Sequence, residues 1–139
     1  MLKKTALILI IILFYSINVH AEGNSNIEIF DITKGKVVKV LHVDSKIEEI
    51  AINYLKGINC VHGKFNPIPK EGYAIAIPLK TSVKIQGKWL NAFVNEVIIM
   101  FPKLEPPFLV VIDNDDRLVC FGFKGDTEFL LKILNFKLN

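Results

Sequence analysis

Arginine is nearly absent from this chain, and the short motifs that mark common enzyme classes are missing. Arg117 is the one guanidinium among seventeen basic side chains. A planar guanidinium is the preferred partner for bidentate recognition of phosphate or carboxylate, so the chain has only one side chain suited to that mode of binding. The chain has no G-x-S-x-G nucleophile elbow, no phosphate-binding loop and no H-E-x-x-H zinc motif. These absences favour a non-catalytic protein but leave an enzyme without a known motif open.

A large excess of one charge is also missing. The formal net charge is +3 for the whole chain, and it falls to +1 if an N-terminal leader containing Lys3 and Lys4 is removed. Such a balance creates no broad positive field, so we expect no binding to nucleic acid. Hydrophobic residues make up 51% of the sequence, which is enough to bury a core and excludes a disordered chain.

Cysteine is scarce, because Cys60 and Cys120 are the only two. Two cysteines in a chain with a good core do not make a disulfide scaffold. In an oxidising compartment they can form one disulfide, and closing that loop would add about 4 kcal/mol on the chain-entropy model. The alternative is two separate thiols that pack as small hydrophobic groups.

No apolar run reaches the ~20 residues that a membrane-spanning helix needs. The run Ala6–Tyr15 follows two lysines, and a polar break after it leads to Val-His-Ala, ending at Ala21. This layout is typical of a secretory signal peptide. We therefore predict a signal peptide at residues 1–21 and a single secreted or extracytoplasmic domain at residues 22–139. The alternative is an uncleaved leader, which would be the domain's one attachment to the membrane.

Alternating and β-branched runs predict that most of the mature chain is β-strand. Two such runs flank Gly35 as a hairpin, and five more follow the first helix. That helix is predicted from a capping box formed by Ser45 and Glu48, an amphipathic pattern, and Gly57 at its end. A second helix follows Asp126. The order β-β-α-β-β-β-β-β-α predicts an α+β fold, with two helices packed on one face of a mostly antiparallel sheet of five to six strands.

Strand composition gives three further expectations about the sheet. Pro78 has no N–H for a ladder hydrogen bond, so its strand should lie at a sheet edge or end there. In the same strand, the small Ala74 and Ala76 alternate with large residues, which indicates close cover on one face. The C-terminal strands are apolar on both faces and should therefore be central and at least partly covered on both sides.

The segment Gly57–Pro78 holds the first candidate site. Cys60 and His62 offer a thiol and an imidazole, which in other settings form a nucleophile or bind zinc. However, residues two apart on an extended segment face the same way only loosely, and zinc needs three or four ligands. The prolines favour a rigid loop that crosses from helix to sheet. In that interpretation Cys60, His62, Lys64 and Phe65 are candidate contacts for a partner, and neither a metal nor a cofactor is predicted.

The second candidate site is a group of lysines beside the single tryptophan. Lys84 and Lys88 precede Trp89, and the turn signal Gln86-Gly87 permits exposure of the ring. Lysines next to an exposed aromatic ring can hold an anionic wall polymer or a sugar by charge and stacking. The alternative is a solvated strand edge whose lysines discourage aggregation.

Two other polar features have simpler interpretations. His42 alternates with Val38 and Val40, which predicts a partly buried, hydrogen-bonded histidine. The acidic run Asp113–Asp116 lacks the glycine and glutamate that an EF-hand loop requires at its sixth and twelfth positions. It therefore predicts a hairpin turn rather than a calcium site.

Three stretches, "KFNPIPKEGYAIAIPLKTSVKIQGKWLN", "EVIIMFP" and "FKGDTEFLLKIL", resemble small uncharacterised exported proteins of bacilli and related spore-forming bacteria. A shorter similarity is to the GerMN domain of sporulation and germination lipoproteins, at Tyr54–Gly57, Pro69–Gly72 and Ser82–Ile85. The lipid-attachment cysteine of those lipoproteins has no counterpart here. The resemblance implies a compact exported domain in the envelope of a Gram-positive bacterium, and it transfers no catalytic residues.

These observations predict an exported, non-catalytic domain that binds a protein or a cell-wall polymer of the envelope. The alternative is a small exported hydrolase or thiol-dependent enzyme that uses Cys60 and His62.

Overall fold

The structure, a computed structural model, describes residues 26–62 and 68–138. The predicted signal peptide and two of the candidate contact residues, Lys64 and Phe65, lie outside this part of the chain. The leader, its cleavage and the role of those two residues therefore stay predictions.

The described residues form one antiparallel sheet and two helices. The sheet has seven strands in the order β2-β1-β4-β5-β6-β7-β3, and each neighbouring pair is antiparallel. The α+β class and the antiparallel sheet are thereby confirmed, whereas the expected number of five to six strands is wrong. In chain order the elements are β1 (Asn26–Asp31), β2 (Lys36–His42), α1 (Ser45–Lys56), β3 (Ile58–Val61), β4 (Gly72–Gln86), β5 (Asn91–Pro102), β6 (Phe108–Ile112), β7 (Leu118–Phe123) and α2 (Thr127–Ile133).

Two strands differ from the sequence prediction. β3, which pairs with β7 at the sheet edge, lies where the sequence predicts only a loop, because four residues directly after a helix carry little periodic signal. β4 unites two stretches that the sequence separates, since it continues through Pro78 as a single strand of fifteen residues.

Pro78 lies in an interior strand, so the expectation of an edge or a strand end is wrong. β4 has β1 on one side and β5 on the other. The ladder between β1 and β4 ends at the pair Glu28–Ala76, two residues before the proline. On the β5 side Pro78 is opposite Glu96, and the register then shifts before Val83. The missing N–H is therefore tolerated where the β1 ladder stops and an irregularity begins.

Both helices begin at an aspartate. The side chain of Asp44 accepts a hydrogen bond of 2.9 Å from the Ile47 amide, so the cap of α1 is one residue earlier than the predicted Ser45. The carboxylate of Glu48 accepts a hydrogen bond from the Lys80 amide. Asp126 caps α2 as predicted, by accepting from the Phe129 amide at 3.1 Å.

Buried hydrophobic side chains form two clusters, one on each face of the sheet. The first cluster contains the buried residues of both helices together with Ile29, Ile75 and Ile99 of the sheet. The second contains Phe30, Ala74, Ala76, Ile98, Met100, Phe108, Val110 and Cys120, and neither of the two described helices contributes to it. Because β6 places residues in both clusters and lies inside the sheet, its predicted burial on two faces is confirmed.

Candidate functional site

A short hairpin arm, residues 83–94, extends β4 and β5 beyond the register shift. Its two strands pair from Val83–Val94 to Gln86–Asn91, and the turn closes with a hydrogen bond of 2.9 Å from the Gly87 amide to the Leu90 carbonyl. The predicted turn at Gln86-Gly87 is thereby confirmed. One side of the arm is anchored in the first cluster, with the side chains of Ile85, Leu90, Ala92 and Val94 buried.

The arm also carries two exposed lysine–aromatic pairs, one on its strands and one at its turn. Lys84 lies directly opposite Phe93 in the ladder, and its ammonium nitrogen is 5.7 Å from the centre of the phenylalanine ring. The ammonium nitrogen of Lys88 is 5.0 Å from the centre of the Trp89 ring. Both rings are exposed, Trp89 at 41% and Phe93 at 58%. We call these four side chains the basic-aromatic surface.

The arm is held by a contact with the neighbouring hairpin. The Phe93 amide donates a hydrogen bond of 3.3 Å to the side-chain oxygen of Asn114, in the turn between β6 and β7. In that turn, Asp113 accepts hydrogen bonds of 2.9 Å from the amides of Asp115 and Arg117. These bonds and the Arg117 guanidinium lower the pKa of Asp113. The acidic run is therefore a hairpin turn, as predicted, and it occupies the chain's only arginine.

A cleft opens between the tip of the arm and the end of α1. Its volume is about 320 Å³, and Leu55 and Ile58 contribute apolar lining. Lys56 of α1 lines it from one side, while Lys84 and Lys88 line it from the arm, next to Trp89. The described lining residues include no carboxylate. We call this feature the lysine cleft.

Cys60, His62 and Cys120 come together at the β3 edge of the second face. Cys60 is opposite Gly122 in the ladder, and the His62 amide donates a hydrogen bond of 2.8 Å to the Cys120 carbonyl. The His62 ring stacks on Phe108 of the second cluster, with ring centres 4.3 Å apart. β3 therefore presents the sequence-predicted thiol and imidazole on the same face as Cys120.

The two thiols differ in environment and are not joined in this structure. Cys60 is exposed and Cys120 is buried. Burial raises the pKa of the Cys120 thiol to about 11, so it is protonated at neutral pH and is a poor nucleophile. The disulfide stays a prediction.

The second face also holds a buried carboxyl group that the sequence reasoning missed. Glu28 lies in a row across the sheet, between Val40 of β2 and Ala76 of β4. Only 3% of Glu28 is exposed, and its Oε2 atom has no hydrogen-bond partner among the described residues. Burial, with a smaller contribution from the charge of Glu96, raises the pKa of Glu28 to about 7. Its alternation with the apolar Ile27 and Ile29 is the normal pattern of a solvent-facing strand residue, so the sequence carries no signal of its burial.

The structure separates the sequence-predicted site residues into two groups. Lys84, Lys88 and Trp89 are together on the arm, whereas Cys60 and His62 lie at the β3 edge on the second face. His42 is exposed at the end of β2, so its predicted partial burial is wrong. The alternation itself holds, because His42 shares one side of β2 with Val38 and Val40, but that side of the edge strand is exposed.

Two contributors to the arm region were missed from the sequence. The exposure of Phe93 could have been predicted, because period-two alternation with the buried Ala92 and Val94 places Phe93 on the outer side of the strand. Lys56 has no such signal, since its position in the same cleft as Trp89 depends on how α1 packs against the sheet.

Other site types find no support in the described part of the chain. Within residues 26–62 and 68–138, no three His, Cys, Asp or Glu side chains are grouped as metal ligands. Neither of the two described helices is long and apolar enough to cross a membrane.

The comparisons with known proteins add no assignment to this geometry. No family model, curated protein or solved structure matches the chain.

Proposed function

We propose that this protein is an exported, non-catalytic domain that binds an anionic polymer of the cell wall through the basic-aromatic surface. The observation that carries the proposal is the pairing of two exposed rings, Trp89 and Phe93, with lysine ammonium groups on one arm. An aromatic ring offers a flat apolar surface to the C–H face of a sugar, and a lysine beside it attracts an acidic group.

The arm is suited to binding because its backbone is already ordered. Four of its side chains are buried in the first cluster, and its turn and the Asn114 contact restrain the backbone. Little conformational entropy is therefore lost from the backbone when a ligand is bound. Lysine is also an appropriate cation for a polymer whose acidic groups vary in position. Its ammonium group is a mobile point charge, whereas the planar guanidinium of arginine donates hydrogen bonds in a fixed geometry.

The site of action is inferred from the sequence. The predicted leader at residues 1–21 and the resemblance to small exported proteins of spore-forming bacteria both indicate an envelope location. In that location an acidic wall polymer is the abundant ligand that suits the surface, and a protein of the envelope is the other partner class.

The alternative function is a thiol-dependent enzyme or hydrolase that uses Cys60 and His62. The two residues lie two positions apart, so their α-carbons are separated by about 6.5–7 Å along the chain. A thiol activated by an imidazole lies within hydrogen-bond reach, about 2.6–3.2 Å. The exposed Cys60 is the observation in favour of this alternative, and the stacking of His62 on Phe108 weighs against it. If Cys60→Ser and His62→Ala both lose function while wall binding stays intact, the enzyme alternative is correct.

Co-sedimentation with purified cell walls tests the binding proposal. The protein should sediment with walls that retain their anionic polymers, and added salt should release it because exposed charges are screened. Trp89→Ala and Phe93→Ala should each reduce the bound fraction severalfold. Phe129→Ala is the matched control, since Phe129 is an exposed ring with Lys46 5.5 Å from its centre, but it lies on α2.

Binding that is unchanged in Trp89→Ala and Phe93→Ala would contradict the proposal. An equal loss in Phe129→Ala would also contradict it, because any exposed lysine–aromatic pair would then suffice. Walls stripped of their anionic polymers should not retain the protein.

A further inference from the structure

The lysine cleft brings three cations to one small cavity without a compensating acid. Lys56 comes from the last turn of α1, while Lys84 and Lys88 come from the arm. The three lysines are exposed, so their side chains are accessible from solvent at the cavity. Like charges that line one cavity repel one another, and an anion between them relieves the repulsion.

A second cleft of nearly the same size has a different arrangement of charges. That cleft, about 330 Å³, is lined by Lys34 and Lys103 but also by Asp31 and Glu71. Lys103 and Glu71 form an ion pair of 3.8 Å, so its charges are largely balanced within the protein. The lysine cleft has no such internal partner among its described lining residues.

The remaining lining indicates the shape of the ligand. Trp89 forms an aromatic wall, and the side chains of Leu55 and Leu90 add apolar surface next to it. A volume of about 320 Å³ is at the small end of ligand sites, which run from about 300 to 1,000 Å³. The cavity therefore accommodates a single ring-sized unit with an apolar face and an acidic group.

We propose that the lysine cleft binds one anionic sugar unit, a pyranose ring that carries a carboxylate or phosphate. The ring stacks on Trp89, and its acidic group lies among Lys56, Lys84 and Lys88. This inference rests on the proposed function and extends it, because the cleft adds a specific subsite on α1 to the binding surface of the arm. Lys56 is the residue that distinguishes the cleft from the arm alone.

Fluorescence titration can follow this site directly, because Trp89 is the only tryptophan in the chain. The exported protein is titrated with an oligomer of glucuronic acid, with a neutral N-acetylglucosamine oligomer of equal length, and with a glycerol phosphate oligomer. Vesicles of phosphatidylglycerol are the fourth ligand, and they test whether the cleft binds a lipid headgroup instead of a sugar. The glucuronic acid oligomer should change the emission of Trp89 saturably, and the other three should bind at least tenfold more weakly.

Charge removal on the helix side of the cleft tests the role of Lys56. Lys56→Gln should weaken the binding of the uronate oligomer about fivefold, as expected for one partly exposed ion pair, and should reduce the salt dependence. Lys46→Gln is the matched control, because Lys46 lies near the start of the same helix and beside Phe129 rather than Trp89. It should change the affinity less than twofold.

The outcomes separate this inference from the proposed function. If Lys56→Gln binds the uronate oligomer as the natural protein does while Trp89→Ala loses wall binding, the arm binds without the cleft and the cleft proposal is wrong. Equal binding of the neutral oligomer, or preference for the vesicles or glycerol phosphate, also overturns it. If no variant affects wall binding, both proposals fail.

Discussion

The sulfur atom of Cys60 occupies the space that a side chain at Gly122 would need. The two residues are opposite each other in the β3–β7 ladder, and a Cβ atom at position 122 would lie 2.5 Å from the sulfur. A glycine in an inner strand normally weakens the sheet, but here its missing side chain leaves room for the thiol of the edge strand. The fit of β3 on the sheet therefore depends on this pair.

Replacement of the glycine tests that dependence. Gly122→Ala should lower the free energy of unfolding by about 1 kcal/mol, because the exposed thiol must rotate away or β3 must shift. In a Cys60→Ala background the same replacement should cost clearly less, since no sulfur opposes the new methyl group. Chemical denaturation of the four proteins gives the coupling energy. Equal losses in both backgrounds would show that the sulfur is not the obstacle.

The two thiols should react at very different rates. At pH 8 a thiol with a pKa of about 11 is ionised in about one molecule in a thousand, and Cys120 is also buried. A maleimide should therefore label Cys60 quickly in Cys120→Ser, and should label Cys120 in Cys60→Ser only after denaturant is added. Intact mass under non-reducing conditions tests the predicted disulfide. Rapid labelling of native Cys120 would contradict its burial.

Glu28 should make the protein less stable as the pH rises toward neutrality. The pKa of Glu28 is about 7 in the folded protein, compared with an ordinary value of 4.5. Between these pH values the folded state therefore binds more protons than the unfolded state. The free energy of unfolding should therefore fall between about pH 4.5 and pH 7 and then level off. Glu28→Gln should remove this fall and be more stable at pH 8 by about 1–3 kcal/mol.

The neighbouring carboxylate gives a control for this pH effect. Glu96→Gln removes the charge that adds to the raised pKa of Glu28, so the fall in stability should become smaller but persist, because burial is the larger cause. Thermal or urea unfolding at several pH values measures both variants. A Glu28→Gln protein with the same pH dependence as the natural chain would show that another group controls it.

Local features of this fold could be predicted from the sequence because they depend on neighbouring residues. Gly35 adopts the positive φ expected at its hairpin turn, at 68°, and Asp126 caps α2. The amphipathic pattern of α1 identified its buried residues, among them Ala51, Tyr54 and Leu55. Each of these features needs only a few consecutive side chains and the backbone between them.

The positions of Pro78 and β3 could not be predicted in the same way. Whether a proline is tolerated depends on where the neighbouring strand ends, and β1 comes more than forty residues earlier in the chain. The short β3 is stabilised by pairing with β7, about sixty residues later. Long-range pairing is set by packing of the whole sheet, which a local pattern does not contain.

The sequence alone therefore determined the secondary-structure class, both helices, the main turns and the lysine–tryptophan group, since all of these arise from contacts close along the chain. Only the tertiary structure decided which groups meet. It paired Lys84 with Phe93, brought Lys56 of α1 and Trp89 to the same cleft, and placed Cys60 on the face of Cys120. It also buried Glu28, because the second face of this sheet is apolar rather than solvated.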